Sequence, residues 1–266
     1  MDSSPHTNKK LTLAIDIGGS HLKAGVVDNS GMLAGERRRV ETPAGATPED
    51  VVAALVSLVR PLGRFDRVSI GFPGVVRDGR VLTAPNLGTA VWHGYPLAGA
   101  LERALGKPVR MLNDASVQGL GAISGKGIEL VITLGTGMGF ALFTAGRLAP
   151  HLEMGQHPAW KKKTYDQYIG EAARQKVGDR SWNRRVHRVI ASLQTLVGYD
   201  ILYIGGGNAR HLIPPLPDHV VTVSNETGVT GGVRLWDRRL DGMFSEPGPA
   251  FDLAAPVQVA VPRGGS

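Results

Sequence analysis

"LAIDIGGSHLKAGVVD", Leu13 to Asp28, starts as a hydrophobic strand, breaks at Asp16 into Gly18, Gly19 and Ser20, and runs apolar again to a second aspartate. Glycine puts no Cβ in the way, so a turn such as Asp16-Ile17-Gly18-Gly19-Ser20 lets backbone N–H groups approach an anion closely. The alternative is a plain tight hairpin. A second turn of the same kind, "LGTGMG" (Leu134–Gly139), follows 117 residues later; that shift lays Ile17-Gly18 on Leu134-Gly135 and Ala24 on Ala141. "TGMGF" opens a strand and not a helix, so it is no dinucleotide fingerprint. "GGGNA" (Gly205–Ala209) after a strand is a third glycine turn, suited to close approach by a nucleotide or phosphate tail. The three together point to phosphate binding.

Outward from the first turn, Leu11–Gly18, Leu22–Asp28 and Met32–Val40 read as three strands joined by tight turns. Thr47 is placed to cap a helix with Pro48 in its first turn, ahead of Val51, Val52, Leu55, Leu58 and Val59 at helical spacing. A strand at Arg67–Phe72, a helix at Leu97–Leu105 closed by Gly106 and a strand at Val109–Leu112 complete a βββαβαβ order. The second half repeats it: two strands around "LGTGMG", a short third, helices at about Tyr165–Val177 and Trp182–Val197, strands at "DILYIGGG" and near Val220–Ser224, and a last helix at Val229–Leu240. The expected fold is a duplicated α/β one of two lobes, with the ligand in the cleft between them. A flexible start (1–10), an N-terminal sugar and phosphate lobe (11–115), a C-terminal donor lobe (116–240) whose final helix can pack back on the first, and a disordered Pro-, Gly- and Ala-rich tail (241–266) are the expected divisions.

Composition narrows the class. The 266 residues are 42% hydrophobic and 20% charged, ordinary for a soluble globular chain with a sizeable core. The absence of cysteine excludes a disulfide framework and a thiolate metal site. No apolar run approaches the roughly 20 residues of a membrane span, and the polar start lacks the apolar middle of a secretory signal; a cytoplasmic protein without a membrane partner is expected. The formal net charge is +7. Between Lys161 and Arg188 nine basic residues face three acidic ones (Asp166, Glu171 and Asp179). That stretch is either a solvated helix face or a landing strip for a polyanion.

The set Asp16–Ser20, "GFPG" (Gly71–Gly74), "APNL" (Ala84–Leu87), "LNDA" (Leu112–Ala115), "LGTGMG" and "YIGGG" resembles, in order and spacing, the sugar kinases and repressors of the ROK family. "GGSHLKAG" with Lys23, and the missing cysteine zinc motif, are most similar to the polyphosphate glucokinases and glucomannokinases within it. The resemblance implies an actin-like, ribonuclease H-like fold, commonly dimeric. It implies transfer of a phosphoryl group from polyphosphate or ATP, with Mg²⁺ and without zinc, to a hydroxyl of a hexose, glucose first. Phosphoryl transfer needs a base at the hydroxyl and anion stabilisation around the moving group. By resemblance Asp114 is that base; read without it, Asp114 is equally a helix N-cap for the segment starting at Ala115. Asn86 and Asn113 match sugar-hydroxyl binders, since amides both donate and accept, and Gly74 matches the backbone lining the pocket. Asp16 matches the residue that orients Mg²⁺, through water. Gly18, Gly19, Ser20 and Lys23, with Gly135, Thr136 and Gly137 and with Gly205, Gly206, Gly207 and Asn208, match the phosphate and nucleotide contacts.

One departure stands out. The family's sugar motif Glu-x-Gly-His reads here Glu153-Met154-Gly155-Gln156, followed by His157. Glu153 carries over as a sugar ligand. Gln156 replaces the histidine and keeps both hydrogen-bonding roles, while His157 is either a substitute that rotates in or an ordinary surface histidine. "PAWKKKTYDQY" then departs from the acidic loop of glucose-selective relatives. A sugar-binding non-catalytic member, or a kinase of another hydroxyl compound, is the alternative. A repressor of the same family needs an N-terminal helix-turn-helix, for which the ten residues before the first strand leave no room; no nucleic-acid partner is expected.

Overall fold

Thr12–Ile17 (β1) and His21–Val27 (β2) alternate between two faces, and their pairing register puts Asp16 opposite Lys23 and Ile17 opposite Leu22. Leu13, Ile15, Ile17, Leu22, Ala24 and Val26 all fall on one face and are buried. Against them packs Pro48–Val59 (α1), whose Thr47 side chain accepts from the Asp50 N–H as a helix cap. The computed structural model describes residues 10–224 and 227–244. The flexible start and the tail expected from the sequence lie, apart from Lys10 and 241–244, outside them.

Arg38–Glu41 (β3), Arg67–Phe72 (β4) and Val109–Asn113 (β5) complete a sheet in the order β3-β2-β1-β4-β5, with Leu97–Leu105 (α2) ending at Gly106 in the left-handed region. Asp114–Ala122 (α3) leads to the second sheet: Ile128–Leu134 (β6), Met138–Thr144 (β7), Arg147–Leu148 (β8), Ile201–Gly205 (β9) and Val220–Thr222 (β10), in the order β8-β7-β6-β9-β10. Both sheets pair antiparallel, antiparallel, parallel, parallel. A shift of 117 carries the bounds of β2 onto those of β7, so the duplication read from two glycine turns extends to whole sheets.

Four expectations need correcting. The third strand, expected over Met32–Val40, is only Arg38–Glu41: the Asp28 carboxylate accepts from the N–H groups of Ser30 and Met32, and Gly31 takes φ +85°, so the chain turns first. The helix expected over Tyr165–Val177 breaks into Tyr165–Ile169 (α4) and Glu171–Val177 (α5), because Gly170 is extended and the Glu171 N–H turns onto the Gly135 carbonyl. Asp179–Val197 (α6) starts three residues earlier than expected. The last helix, Thr227–Arg234 (α7), stops at Arg234; Asp237 then caps a 3₁₀ segment, Arg238–Met243. Between β9 and β10 only a 3₁₀ turn, Ala209–His211, stands where the first half has α2.

A third core cluster joins the two sheets: Leu112, Val117 and Leu120 from β5 and α3 meet Val131 and Phe143 from the second sheet, and Leu235 and Leu240 from the C-terminal segment. The Ser69 hydroxyl donates to the Gly232 carbonyl and accepts from the Trp236 indole. No helix among the described residues is long and apolar enough to cross a membrane.

Candidate active site

The two glycine turns face one cleft of about 670 Å³, lined among others by Asp16, Gly18, Lys23, Asp114, Gly135, Thr136, Gly206 and Gly207. The turns hold themselves. The Gly18 N–H donates to the His21 carbonyl and the Gly135 N–H to the Gly137 carbonyl, so these two donors are occupied. The N–H groups of Gly19, Ser20, Thr136 and Gly137 have no partner among the described residues, and of these residues Thr136 lines the cleft. The glycines sort by what a side chain would meet. A Cβ on Gly18 would stand 2.9 Å from the His21 carbonyl, and one on Gly206, at φ +86°, would run into the backbone of Leu134. Cβ atoms on Gly135 or Gly207 would meet nothing within 4 Å among the described residues. Two of the glycines are therefore demanded by folding, and two leave the cleft open.

The second turn is braced from three sides. The Asn208 N–H and side-chain amide donate to the Leu134 and Gly135 carbonyls, and the Asp166 carboxylate accepts from the Met138 N–H. Gly205 packs on the side chain of Gln118, and Gly137 on the carboxylate of Asp166. Asn208, Gly205 and Gly137 thus support the turn and are not among the cleft's lining.

At the floor, α3 starts immediately after β5. Asn113, 5% exposed, is the N-cap: its Oδ1 accepts from the Ala115 and Ser116 N–H groups, and its Nδ2 donates to the Gly74 and Phe72 carbonyls. Its amide is fully engaged by backbone, which makes it a holder of Asp114 more than a free sugar ligand. Asp114 itself is the first helical residue and not the cap. Gly71 allows the close approach, since a Cβ there would stand 3.4 Å from the Asp114 Cα. Desolvation, then the negative charge of Asp16, pushes the Asp114 carboxyl up to about 7; the Glu153 carboxylate adds to the rise, while the Ala115 N–H and His151 oppose it. On the same sheet, the Lys23 ammonium lies 2.9 Å from Oδ2 of its cross-strand neighbour Asp16.

The remaining expected residues lie outside this lining. A Cβ on Gly74 would collide with the Thr83 carbonyl, so glycine there is a packing requirement. Asn86 is exposed, its Cβ 3.2 Å from where one on Gly19 would stand. Gln156 donates to Asp166 Oδ2 at 2.6 Å, and His157 is exposed, with Nδ1 3.0 Å from the Pro158 carbonyl. Neither lines the cleft that holds Asp114. His151, which sequence reading passed over, is the histidine whose charge acts on Asp114: its side chain is 12% exposed, Nε2 lies 3.5 Å from Glu153 Oε2, and Nδ1 is buried without a partner among the described residues. Its only sequence signal is its place two residues before Glu153. Gln118, one turn beyond Asp114 on α3, lines the cleft and was likewise missed.

Of the residues expected between Lys161 and Arg188, none lines the cleft. Arg174 pairs with Glu171 and Asp179, holding Glu171 down to about 2. Arg185 lies over the Tyr168 ring and Arg188 over Trp160.

Two sheets of one strand order, each sending a glycine turn to a shared cleft with a carboxylate at its floor, define the actin-like α/β class. Residues 12–157 match the family model described as "ROK family", and the chain belongs to that family. It is 31% identical over 245 residues to the polyphosphate glucokinase of Mycobacterium leprae, covering 87% of this chain and 75% of that one. The crystal structure of an inorganic polyphosphate/ATP-glucomannokinase from Arthrobacter sp. strain KM matches with a TM-score of 0.77 and 31% identity, over 85% of this chain and 97% of that one. A ROK family glucokinase from Streptomyces griseus, solved with glucose and AMPPNP, has a TM-score of 0.69 at 23% identity, over 85% of this chain and 98% of that one, and shares the fold.

Proposed function

We propose that this chain is a hexose kinase that moves a phosphoryl group from polyphosphate or ATP to a sugar hydroxyl, with glucose the first acceptor. The carrying observation is the carboxyl of Asp114, raised to about 7, on the floor of a cleft onto which two glycine turns open. A carboxylate desolvated in this way is a stronger base than one in water, matched to a hydroxyl proton near neutral pH. The Asp114 carboxylate takes the proton of the sugar hydroxyl, whose oxygen bonds to the terminal phosphorus of the donor. The bridging P–O bond breaks with its electrons on the leaving oxygen, so the donor departs one phosphate shorter, or as ADP. The Gly19, Ser20 and Thr136 N–H groups and the Lys23 ammonium balance charge on the equatorial and leaving oxygens.

Asn113 and Gly74 hold Asp114 in place, and Glu153 and Asn86 receive the sugar. His151 takes the part of the histidine that Gln156 replaces. The donor set also suits Mg²⁺: among the described residues no three acidic or histidine groups form a protein-only cage, and Mg²⁺ is commonly held by one carboxylate, donor phosphates and water. Asp16 has one oxygen on Lys23, and the other has no partner among the described residues and would take that role; when bound, the ion would supply neutralisation of phosphate charge. We extend the reading to a homodimer working in the cytoplasm, on family resemblance. A hexose other than glucose is the second reading, favoured by Gln156 being tied to Asp166.

A coupled assay of glucose, mannose and N-acetylhexosamines against ATP and polyphosphate tests the proposal. Turnover of a hexose with either donor is expected; binding of sugar without turnover of any acceptor overturns it.

A further inference from the structure

Strand register orders the charges of the cleft into a row. Asp16 on β1 lies directly opposite Lys23 on β2, and Lys23 directly opposite Arg39 on β3. Residues directly opposite in an antiparallel pair share a face, so the three stand side by side on the face turned away from the core, stepping about 4.8 Å per strand. Arg37 joins them. It precedes Arg39 by two residues, and its Cγ lies 3.8 Å from where a Cβ on Gly25 would project, Gly25 being two residues from Lys23 on the same face. Arg37 and Arg39 line the same cleft as Asp16 and Asp114.

Two features separate this row from ordinary surface charge. First, Arg37 and Arg39 are exposed, and among the described residues neither has an ion pair or a hydrogen bond from its guanidinium, unlike Arg174, Arg185 or Arg188. Second, β3 is the edge strand, so the row leads from the phosphate turns to the rim of the sheet and there opens to solvent. Among the described residues the cleft's lining holds no aromatic side chain on which a base would stack. A row of cations that begins at the reacting phosphate, continues past the length of a nucleotide's phosphates and ends in open solvent fits a linear polyanion of unlimited length.

We propose that Lys23, Arg39 and Arg37 form a track for long-chain inorganic polyphosphate. The terminal phosphate sits at the glycine turns and the rest of the chain leaves over β3. The track rests on the phosphotransferase reading above and specifies its donor. It also moves the polyanion contact from the basic stretch at 161–188, where it could be sought from charge counting, to residues that the cleft itself contains.

The test compares the parent, Arg37→Ala/Arg39→Ala and the charge-matched control Arg180→Ala/Arg184→Ala. Each is measured with long-chain polyphosphate and with ATP over a range of KCl concentrations, and by anisotropy of end-labelled polyphosphate. The Arg37/Arg39 variant is expected to raise the polyphosphate KM about tenfold or more and to weaken labelled-chain binding equally. Its log KM against log salt should flatten by about one to two units, as counterion release at each lost contact requires by analogy with nucleic acids. The ATP KM should stay within about twofold, and the control should match the parent throughout. Polyphosphate KM, salt slope and chain binding all within twofold of the parent overturn the track. A parent that uses ATP but neither uses nor binds polyphosphate also overturns it, while leaving the kinase reading intact. A parent that transfers from no donor, yet binds the labelled chain through Arg37 and Arg39, supports the track and overturns the kinase reading.

Discussion

Ionising Asp114 costs free energy in the folded chain, and that cost gives activity and stability opposite responses to pH. Between about pH 4 and about pH 7 the folded carboxyl holds a proton that the unfolded chain, with its ordinary value of 3.8, has already lost. Unfolding free energy therefore falls as pH rises through this window and levels off above it. In the proposed role of Asp114 as base only the ionised carboxylate takes a proton, so kcat/KM for the sugar is expected to rise through the same window. Asp114→Asn should lower kcat by roughly 10²–10⁴ or more with sugar affinity kept, and urea unfolding at pH 5 and pH 8 should show it losing less stability than the parent over that interval. Parent-like turnover, or an identical pH response of stability, would remove Asp114 from this part. The orphaned Nδ1 of His151 gives the second expectation at this scale. His151→Ala should raise the sugar KM about tenfold, as one charged or neutral hydrogen bond to a ligand is worth about 1–3 kcal/mol, with donor KM unchanged. A packing role alone would lower the melting temperature and leave both constants where they were.

Glycine at a turn is an ambiguous letter until its neighbours are known, which is why both turns were legible as tight glycine turns and the part played by each glycine in them was not. Gly18 and Gly206 close against backbone, whereas Gly135 faces open space, and nothing in "GGS", "LGTG" or "GGGN" separates these cases. Gly135→Val should accordingly fold like the parent and raise the donor KM strongly with little change for the sugar. Gly206→Val combines a left-handed φ with a collision at Leu134, and should cost about 1–3 kcal/mol or more in urea unfolding before any kinetic effect is read. Thr47 with Pro48 announced α1 because caps are local chemistry. The break at Gly170 was hidden because its cause is distant in sequence: a Cβ there would meet the Thr136 carbonyl, and the Glu171 N–H goes to Gly135. Asp166 was hidden in the same way. It reads as a helix-start acid, yet its carboxylate is pushed up by burial and ties the second glycine turn, through the Met138 N–H, to Gln156 of the sugar motif. Asp166→Asn cannot accept from both donors at once with one oxygen well placed, so it should impair donor and sugar constants together, and Gln156→Glu added to it should restore much of the loss by reversing the bond.

Joining the two sheets is the task of segments far apart in the chain, and periodicity says nothing of it. The C-terminal segment does the joining in two places. Gly231 of α7 lies against the Val117 carbonyl of α3 so closely that a Cβ has no room, and α3 is the helix that carries Asp114. Beyond α7, the Trp236 ring lies under two guanidinium groups, 5.3 Å from Arg67 and 4.5 Å from Arg110, while its indole N–H bonds the Ser69 hydroxyl and Arg110 donates to the Leu235 carbonyl. β4 and β5 of the first sheet are thus clasped by residues that follow the second. Breaking the two contacts should have different signatures. Trp236→Ala removes packing and two cation–π contacts at a partly exposed site, for a stability loss of about 2–4 kcal/mol, but leaves α3 and α7 in register, so kcat at low temperature should stay near the parent. Gly231→Ala inserts a single methyl between the helices, where overpacking costs about 1–3 kcal/mol and the backbone must shift. That shift moves the start of α3 relative to the turns, and a displacement of about 1 Å in a reacting group is enough to lower rate by two orders of magnitude. Gly231→Ala should therefore lose kcat out of proportion to its loss of stability. The check is kcat measured well below both melting temperatures: equal rates for the two variants would mean that the helix contact holds the halves together without setting the position of Asp114.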